Sequence, residues 1–397
     1  MPDAREPIGG SRPADAEPLR REAVCRGSRG PAQQSKNRSM VLQDVPPEIG
    51  QAWSDQAPAK EIAGSNARAA PGIRPESATG RWLAALDSSK GRARIRTLEN
   101  WIGTLFDLVQ RREQPRETVI AEALRHDLAQ IETTVLQSPY WLQKCAEIRH
   151  FAETDNPLHF TRWPPISETL QPHTTAAIVA AYLAVRRSRD WRRVWRPVLR
   201  HPRYGGAPPF LPFPAANPIT IQHVGHLHYF REVVGQSFFD VECVIEFGGG
   251  YGSMCRIADR LGFRGDYIVF DQPVVLCLQR YFLALHGIGA CYGDGEDRVK
   301  LYSRLPDVSR FVAERKPARI AAISTWALSE MPMQLRNEIE PVLRPSDRIL
   351  LSYQQDFEEN DNGQYFERLM TRLDNFRWHS FEIPFYAGNY YAFALRC

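Results

Sequence analysis

"VIEFGGGYGSM", residues 244–254, is the stretch from which the fold is read. An apolar run ends in an acid, Glu246, and four glycines follow within five residues: Gly248, Gly249, Gly250 and Gly252. A strand, a glycine turn and a helix start make a corner where main chain can lie close to an anion or a nucleotide. Three spacings compete. A P-loop needs Lys-Ser/Thr after its last glycine, but Gly252 is followed by Ser-Met. A dinucleotide turn needs G-x-G-x-x-G/A. Counted from Gly248 and Gly250 its third position is Ser253, and from Gly250 and Gly252 it is Cys255. The remaining pattern, acid-x-G-x-G-x-G, is met by Glu246, Gly248, Gly250 and Gly252.

Outward from this corner the chain alternates between short apolar runs and amphipathic ones. "VECVIEF" reads as a strand and "MCRIADRLG" as a helix ending at Gly262. "DYIVFD" reads as a second strand, and "PVVLCLQRYFLALHG" as a helix with Pro273 in its first turn. "RIAAIST", "MQLRNEIEPVL" and "RILLSY" continue as strand, helix and strand. "HSFEIPFYAGNYYAFALR" reads as two strands around Ala387-Gly388-Asn389. The alternation predicts a parallel α/β sheet closed by an antiparallel hairpin.

Upstream the period is helical. Trp101, Ile102, Leu105, Phe106, Leu108 and Val109 share one stripe, and Val119, Ile120, Ala123, Leu124, Leu128, Ile131 and Val135 share another. Residues 200–220 form a long Pro- and Gly-rich connection whose aromatics, Tyr204, Phe210 and Phe213, favour an ordered loop. Residues 1–80 hold 10 of the 30 prolines but one aromatic, Trp53, of 42. Such a segment buries too little apolar surface to offset its ordering entropy and reads as a disordered tail. The expected organisation is a tail (1–80), a helical region (81–220) that covers the acceptor, and a Rossmann-like domain (221–397).

Bulk properties exclude some classes. A net charge of +4 gives no reason to expect nucleic acid as a partner. The longest mostly apolar stretch, 176–185, is too short to span a bilayer, and no signal peptide is legible, so a cytoplasmic protein is expected. Seven cysteines show no zinc spacing. Cys243, Cys255 and Cys277 read as small buried residues.

The acid-x-G-x-G-x-G pattern resembles the first motif of the class I S-adenosylmethionine-dependent methyltransferases. "VIEFGGGYG", "YIVFDQP", "STWALSEMP" and "GNYYAFAL", with the upstream "PLHFTRWPPISETL", are together similar to the sugar O-methyltransferases of bacterial glycan and natural-product clusters. The likeness covers roughly residues 140–397. It implies a Rossmann-like class I methyltransferase sheet, S-adenosyl-L-methionine as cofactor and a sugar or glycosylated small molecule as acceptor. Glu246 would receive the cationic end of the cofactor, and Gly248, Gly249, Gly250 and Gly252 would let main chain lie along it. Asp271, at the end of the second strand, is placed to bind ribose hydroxyls; the competing role is a helix N-cap. Gln272 would line the adenine side. Asp294 is a candidate for the adenine amine or a solvated turn acid, and Ser324 is a candidate neighbour of the cofactor or a plain strand-end residue.

Transfer to a hydroxyl needs a proton acceptor. Glu330 in "STWALSEMP" is one candidate, the alternative being an acid favoured by a helix N-terminus. His226 is the other, since His223 lies three residues before it on the same helical face. Trp326 fits a sugar platform or a core position. No metal site is assigned: "DGED" and "EENDN" are acidic but loop-like. Residues 186–203 carry eight arginines and one acid, with Trp191, Val194, Trp195, Val198 and Leu199 on one face and Pro197 breaking the helix. They read as a solvated basic face or as a site for a phosphate-bearing acceptor. Competing functions are O-methylation of a non-sugar natural product, an NAD-dependent oxidoreductase, and a non-catalytic cofactor-binding protein.

Overall fold

The computed structural model describes residues 77–109, 115–131, 138–172, 175–202 and 204–397. The expected tail lies outside the described residues except for 77–80, where a helix already begins.

Among the described residues the longer helices that come first are α1 (Ala78–Leu86), α2 (Ser89–Val109), α3 (Pro115–Gln130), α4 (Pro139–Thr154) and α5 (Ala176–Arg187), with short helical turns at Pro157–Arg162 and Pro164–Ser167 between the last two. Ser138 caps α4 and Thr175 caps α5, each accepting a main-chain amide of the first turn. On α3 the buried positions are Ala121, Leu124 and Leu128, whereas Val119 and Ala123 of the expected stripe are exposed. Trp101 on α2 is exposed as well. Helical periodicity finds the helix, but the neighbouring helices decide which arc of it is covered. The connection after residue 200 is ordered as expected, with Phe210 fully buried and bridged to Phe213. Asn217 then caps α6 (Pro218–Val234), which crosses the 220/221 boundary drawn from sequence.

The sheet follows: β1 (Cys243–Phe247), β2 (Asp266–Phe270), β3 (Ala290–Tyr292), β4 (Val299–Tyr302), β5 (Ile320–Thr325), β6 (Arg348–Gln354), β9 (Phe376–Glu382) and β10 (Asn389–Arg396). Two short strands, β7 (Asp356–Phe357) and β8 (Asn360–Asp361), form a separate ribbon. The order is β3-β4-β2-β1-β5-β6-β10-β9. The first six strands pair in parallel, and β10 runs antiparallel between β6 and β9. This is a Rossmann-like doubly wound sheet with a C-terminal antiparallel hairpin. The order reverses at β1 and β5, and in such sheets ligands bind at the carboxyl ends beside that reversal.

Both faces of β1 are buried, as a doubly covered parallel strand requires. Val244 packs on the side of α6, α7 (Ser253–Arg260) and α8 (Pro273–Leu285), in one core with the N-terminal helices. Ile245 and Phe247 pack on the side of α9 (Leu305–Arg315), α10 (Met333–Leu343) and α11 (Asn362–Arg372). Strand period two therefore puts Glu246 on the Val244 face, beneath the N-terminal helices.

Candidate functional site

The site begins where β1 ends. Gly248, Gly250 and Gly252 all take left-handed φ, at 73°, 55° and 94°, a backbone open to glycine but costly for L side chains. A methyl on Gly248 would stand 2.0 Å from the Ala327 Cβ. At Gly250 the nearest neighbour of such a methyl is Leu170, at an ordinary 3.7 Å. Leu170 belongs to the N-terminal helical region. So does Gln171, whose Oε1 accepts the Tyr251 hydroxyl at 2.5 Å. The helical region thus lies directly over the glycine turn.

Asp271 stands one residue past β2 and braces the turn from below. Its carboxylate accepts the Gln272 amide and the Gln279 side chain, each at 2.8 Å, and the Gly249 and Gly250 amides hold its charge. Gln279 also donates to the Gly250 carbonyl at 2.8 Å. Burial pushes the Asp271 carboxyl up to about 7 against these bonds. Asp271 is not the cap of α8; Gln272 occupies that position and makes no side-chain cap bond.

Glu246 is 2% exposed and accepts the Tyr267 hydroxyl at 2.8 Å. Burial raises its carboxyl to about 8, and the nearby Asp271 adds to the rise. Its charge is therefore poorly supported by the protein alone, as expected of an acid that awaits a cation. Four buried polar atoms in this neighbourhood have no hydrogen-bond partner: Gln171 Nε2, Ser253 Oγ, Gln272 Oε1 and Gln279 Oε1. A nucleoside with an amino-acid tail offers the hydroxyls, amines and carboxylate that such atoms accept or donate to. The residues present fit S-adenosylmethionine on that ground.

Two further sequence candidates are held by partners of their own. Asp294 sits beyond the β3 edge, hydrogen-bonded to the Tyr302 hydroxyl and ion-paired with Arg310 at 3.0 Å. Ser324 is 1% exposed and accepts the Leu328 amide of the short helical turn after β5 at 2.9 Å. Both residues have structural partners there.

A second cluster forms past β5. Trp326 has a positive φ of 64°, donates its indole N–H to Asn389 at 2.8 Å, and faces the His226 ring at 5.4 Å and Tyr386 at 6.0 Å. A tryptophan held in that region is strained, and such strain persists where the surroundings over-determine it. Glu330, one turn on, is half-buried and accepts Trp141 Nε1 at 3.1 Å and Gln354 Nε2 at 3.3 Å. Burial raises its carboxyl to about 7, the range a general base needs at neutral pH. His226 is 1% exposed and shares a 2.6 Å hydrogen bond with the Tyr391 hydroxyl. Its Nε2 is unpartnered, and burial drives its pKa far down. The expected pairing with His223 is present, with ring centroids 5.8 Å apart. A histidine so desolvated is a weak base and holds its neutral form.

Among the described residues no group of three or more His, Cys, Asp or Glu side chains is placed to hold a metal ion. Of the acidic loops, Asp361 caps α11. The arginine-rich segment folds as a π-turn (Trp191–Trp195) and a short helix (Arg196–Leu199), with Val194, Trp195, Val198 and Leu199 buried and Trp191 half-buried. Seven of its arginines are exposed, and its one acid, Asp190, pairs with Arg231 at 2.7 Å. No described helix is long and apolar enough to cross a membrane.

Sequence reasoning missed Gln171, Trp141, Gln354, Tyr391 and Gln279. Gln279 alone left a local trace, a polar residue inside the apolar run of α8. The others reach the site through long-range contacts.

No protein-family model matches the chain, and no curated protein matches it. Solved structures similar to it include a SAM-dependent methyltransferase from Aquifex aeolicus, at 11% identity over 42% of this chain and 89% of that one, TM-score 0.29. The magnesium protoporphyrin IX methyltransferase from Synechocystis PCC 6803 with bound SAH shows 13% identity over 45% and 84%, TM-score 0.31. Mitomycin 7-O-methyltransferase shows 13% identity over 77% and 99%, TM-score 0.28. At these identities the likeness is one of fold.

Proposed function

We propose that the chain is an S-adenosylmethionine-dependent O-methyltransferase whose acceptor is a sugar or a glycosylated small molecule. The observation that carries the reading is the turn after β1. Three left-handed glycines follow a buried acid with a raised pKa, at the reversal point of the sheet, ringed by unpartnered polar atoms. When bound, the cofactor supplies a methyl group on a cationic sulfur. Glu246 supplies negative charge beneath the turn. Asp271, braced by Gln279, presents a carboxylate edge to the ribose. Gln171 and Leu170 close the turn from the helical side and keep water from it.

Glu330 then takes the proton of the acceptor hydroxyl. Trp141 and Gln354 hold its carboxylate in place, and its raised pKa suits the task. His226, neutral and fixed by Tyr391, positions Trp326, whose face suits the apolar face of a sugar ring. The exposed arginines of 186–200 suit an acceptor that carries phosphate. A non-sugar natural product satisfies the same geometry without using Trp326 as a platform.

Calorimetry with S-adenosylhomocysteine and with NAD tests the cofactor. Binding of the first is expected, and binding of NAD alone would overturn the reading. Incubating the enzyme and S-adenosylmethionine with a panel of sugars, sugar phosphates and aglycones, read by mass spectrometry for a gain of one CH₂, identifies the acceptor. Transfer confined to aglycones would remove the sugar assignment.

A further inference from the structure

Arg256 on α7 is 1% exposed, and its surroundings do not balance its charge. Its Nη2 reaches Thr220 Oγ1 at 3.5 Å, and its Nε has no hydrogen-bond partner. Among the described residues no carboxylate lies within ion-pairing distance of it; the nearest acid on its own helix, Asp259, is engaged by Arg264 and Arg298. The equally buried Arg336 shows what a satisfied guanidinium looks like here. It donates to the Met331 carbonyl, the Asn362 side chain and the Ser329 carbonyl at 2.6, 2.7 and 2.6 Å. Burying a charge without a partner is strongly unfavourable, so buried charges are paired in finished proteins. A water molecule could satisfy the Nε but not the charge.

Around Arg256 lie Asp259, which attracts its charge, Arg260, which opposes it, and several polar groups with bonding capacity left over. His223, one turn after Thr220 on α6, is 7% exposed, feels the Arg256 charge, and has an unpartnered Nδ1. Tyr251, also within reach of that charge, is the turn residue that binds Gln171. Gln171 Nε2 is again unpartnered. Arg256, Thr220, His223 and Gln171, from three separate segments, therefore offer donors, or nitrogens able to become donors, beside the glycine turn.

We propose that Arg256, with Thr220 and His223, is a buried receptor for one oxyanion, a carboxylate or a phosphate-type group, carried by a ligand of this enzyme. Which ligand carries it rests on the methyltransferase reading above; the existence of the site does not. Two sources share the chemistry: the carboxylate of the cofactor's amino-acid end and an anionic group on the acceptor.

Arg256→Met keeps an unbranched apolar stem and removes the charged guanidinium. S-adenosylhomocysteine and methylthioadenosine, which lacks the amino-acid end, are titrated into the full-length wild type and variant by calorimetry. The melting temperature of each is read with and without inorganic phosphate at about 10 mM, enough to occupy a millimolar site. A loss of about tenfold or more for S-adenosylhomocysteine with methylthioadenosine unchanged assigns the cofactor carboxylate. Unchanged affinity for both, with a phosphate-dependent rise in melting temperature that the variant lacks, assigns the acceptor. A variant that matches the wild type in both ligands and in its response to phosphate overturns the proposal. If Arg256→Met does not fold, Arg256→Lys is put through the same measurements, with a weakened phosphate response or S-adenosylhomocysteine affinity expected and wild-type behaviour overturning the proposal. A wild type that binds neither nucleoside would sink the methyltransferase reading and leave the phosphate arm to decide this one.

Discussion

Replacing Glu330 by Gln separates the role of its charge from that of its shape. Burial lifts this carboxyl from 4.5 to about 7 although Trp141 and Gln354 both donate to it. A folded-state pKa raised above the unfolded value means that the folded protein holds the proton more tightly. The stabilising contribution is fully present below about 4.5 and is lost as pH rises through about 7. The shift corresponds to an upper figure on the order of 3 kcal/mol, since the side chain is only half-buried. Glutamine keeps one acceptor for the two donors, so one bond of about 1 kcal/mol is lost at every pH. Glu330→Gln should therefore be about 1 kcal/mol less stable than wild type near pH 4.5 and about 1–2 kcal/mol more stable near pH 8. Urea unfolding at the two pH values measures the crossing without any acceptor. With an acceptor in hand, turnover should fall by about 10²–10⁴ while S-adenosylhomocysteine affinity holds, and the rising limb of the rate near pH 7 should vanish. A stability difference that does not change with pH, together with near-normal turnover, would refute the reasoning.

Four further outcomes follow from the same geometry. Asp271→Ala should weaken S-adenosylhomocysteine by about tenfold or more in calorimetry; full affinity would remove Asp271 from the site. Gly248→Ala places a methyl 2.0 Å from Ala327 at a φ of 73°, and should cost about 3 kcal/mol or more in thermal unfolding; a melting temperature equal to wild type would show that the turn is not as drawn. Tyr391→Phe leaves His226 Nδ1 buried without its partner and should cost about 1–3 kcal/mol, read by chemical denaturation; a neutral effect would mean that His226 has another partner. Because Glu246 and Asp271 titrate at about 8 and about 7, binding of S-adenosylmethionine near pH 7 should release protons, seen as a buffer-dependent heat. Equal heats in two buffers of unlike ionisation enthalpy would count against a cation at these acids.

The catalytic sheet was legible because its signals are local. Val244 to Phe247, the left-handed glycines, Pro273 at a helix start and the Gly388 corner each announce themselves within a few residues. The same locality limits what it shows. Asp294 and Ser324 occupy strand ends that look eligible in sequence, and only the structure shows their partners, Arg310 and the Leu328 amide. Glu330 could be nominated, but neither the burial that raises its pKa nor the bond from Trp141, 189 residues away, that fixes its carboxylate leaves a trace in local spacing. His226 looked basic because the histidine pair is visible in sequence. The burial that keeps it neutral comes from Trp326 and Tyr391, which no spacing reveals.

The conflicts in this structure are not spread evenly. Arg336 and Lys144 are well paired. The acids raised furthest by burial, Glu246, Asp271 and Glu330, lie on β1 or past β2 and β5, and the incompletely bonded Arg256 lies on α7, the helix that follows β1. A sequence under selection for stability alone would replace such groups by apolar ones at little cost or with a gain. Their retention at one edge is what a site shaped for a ligand of mixed charge requires, because each is satisfied only when the opposite charge arrives. A ligand with a cationic sulfur, an ammonium and a carboxylate answers both the acids and the arginine proposed to receive an anion.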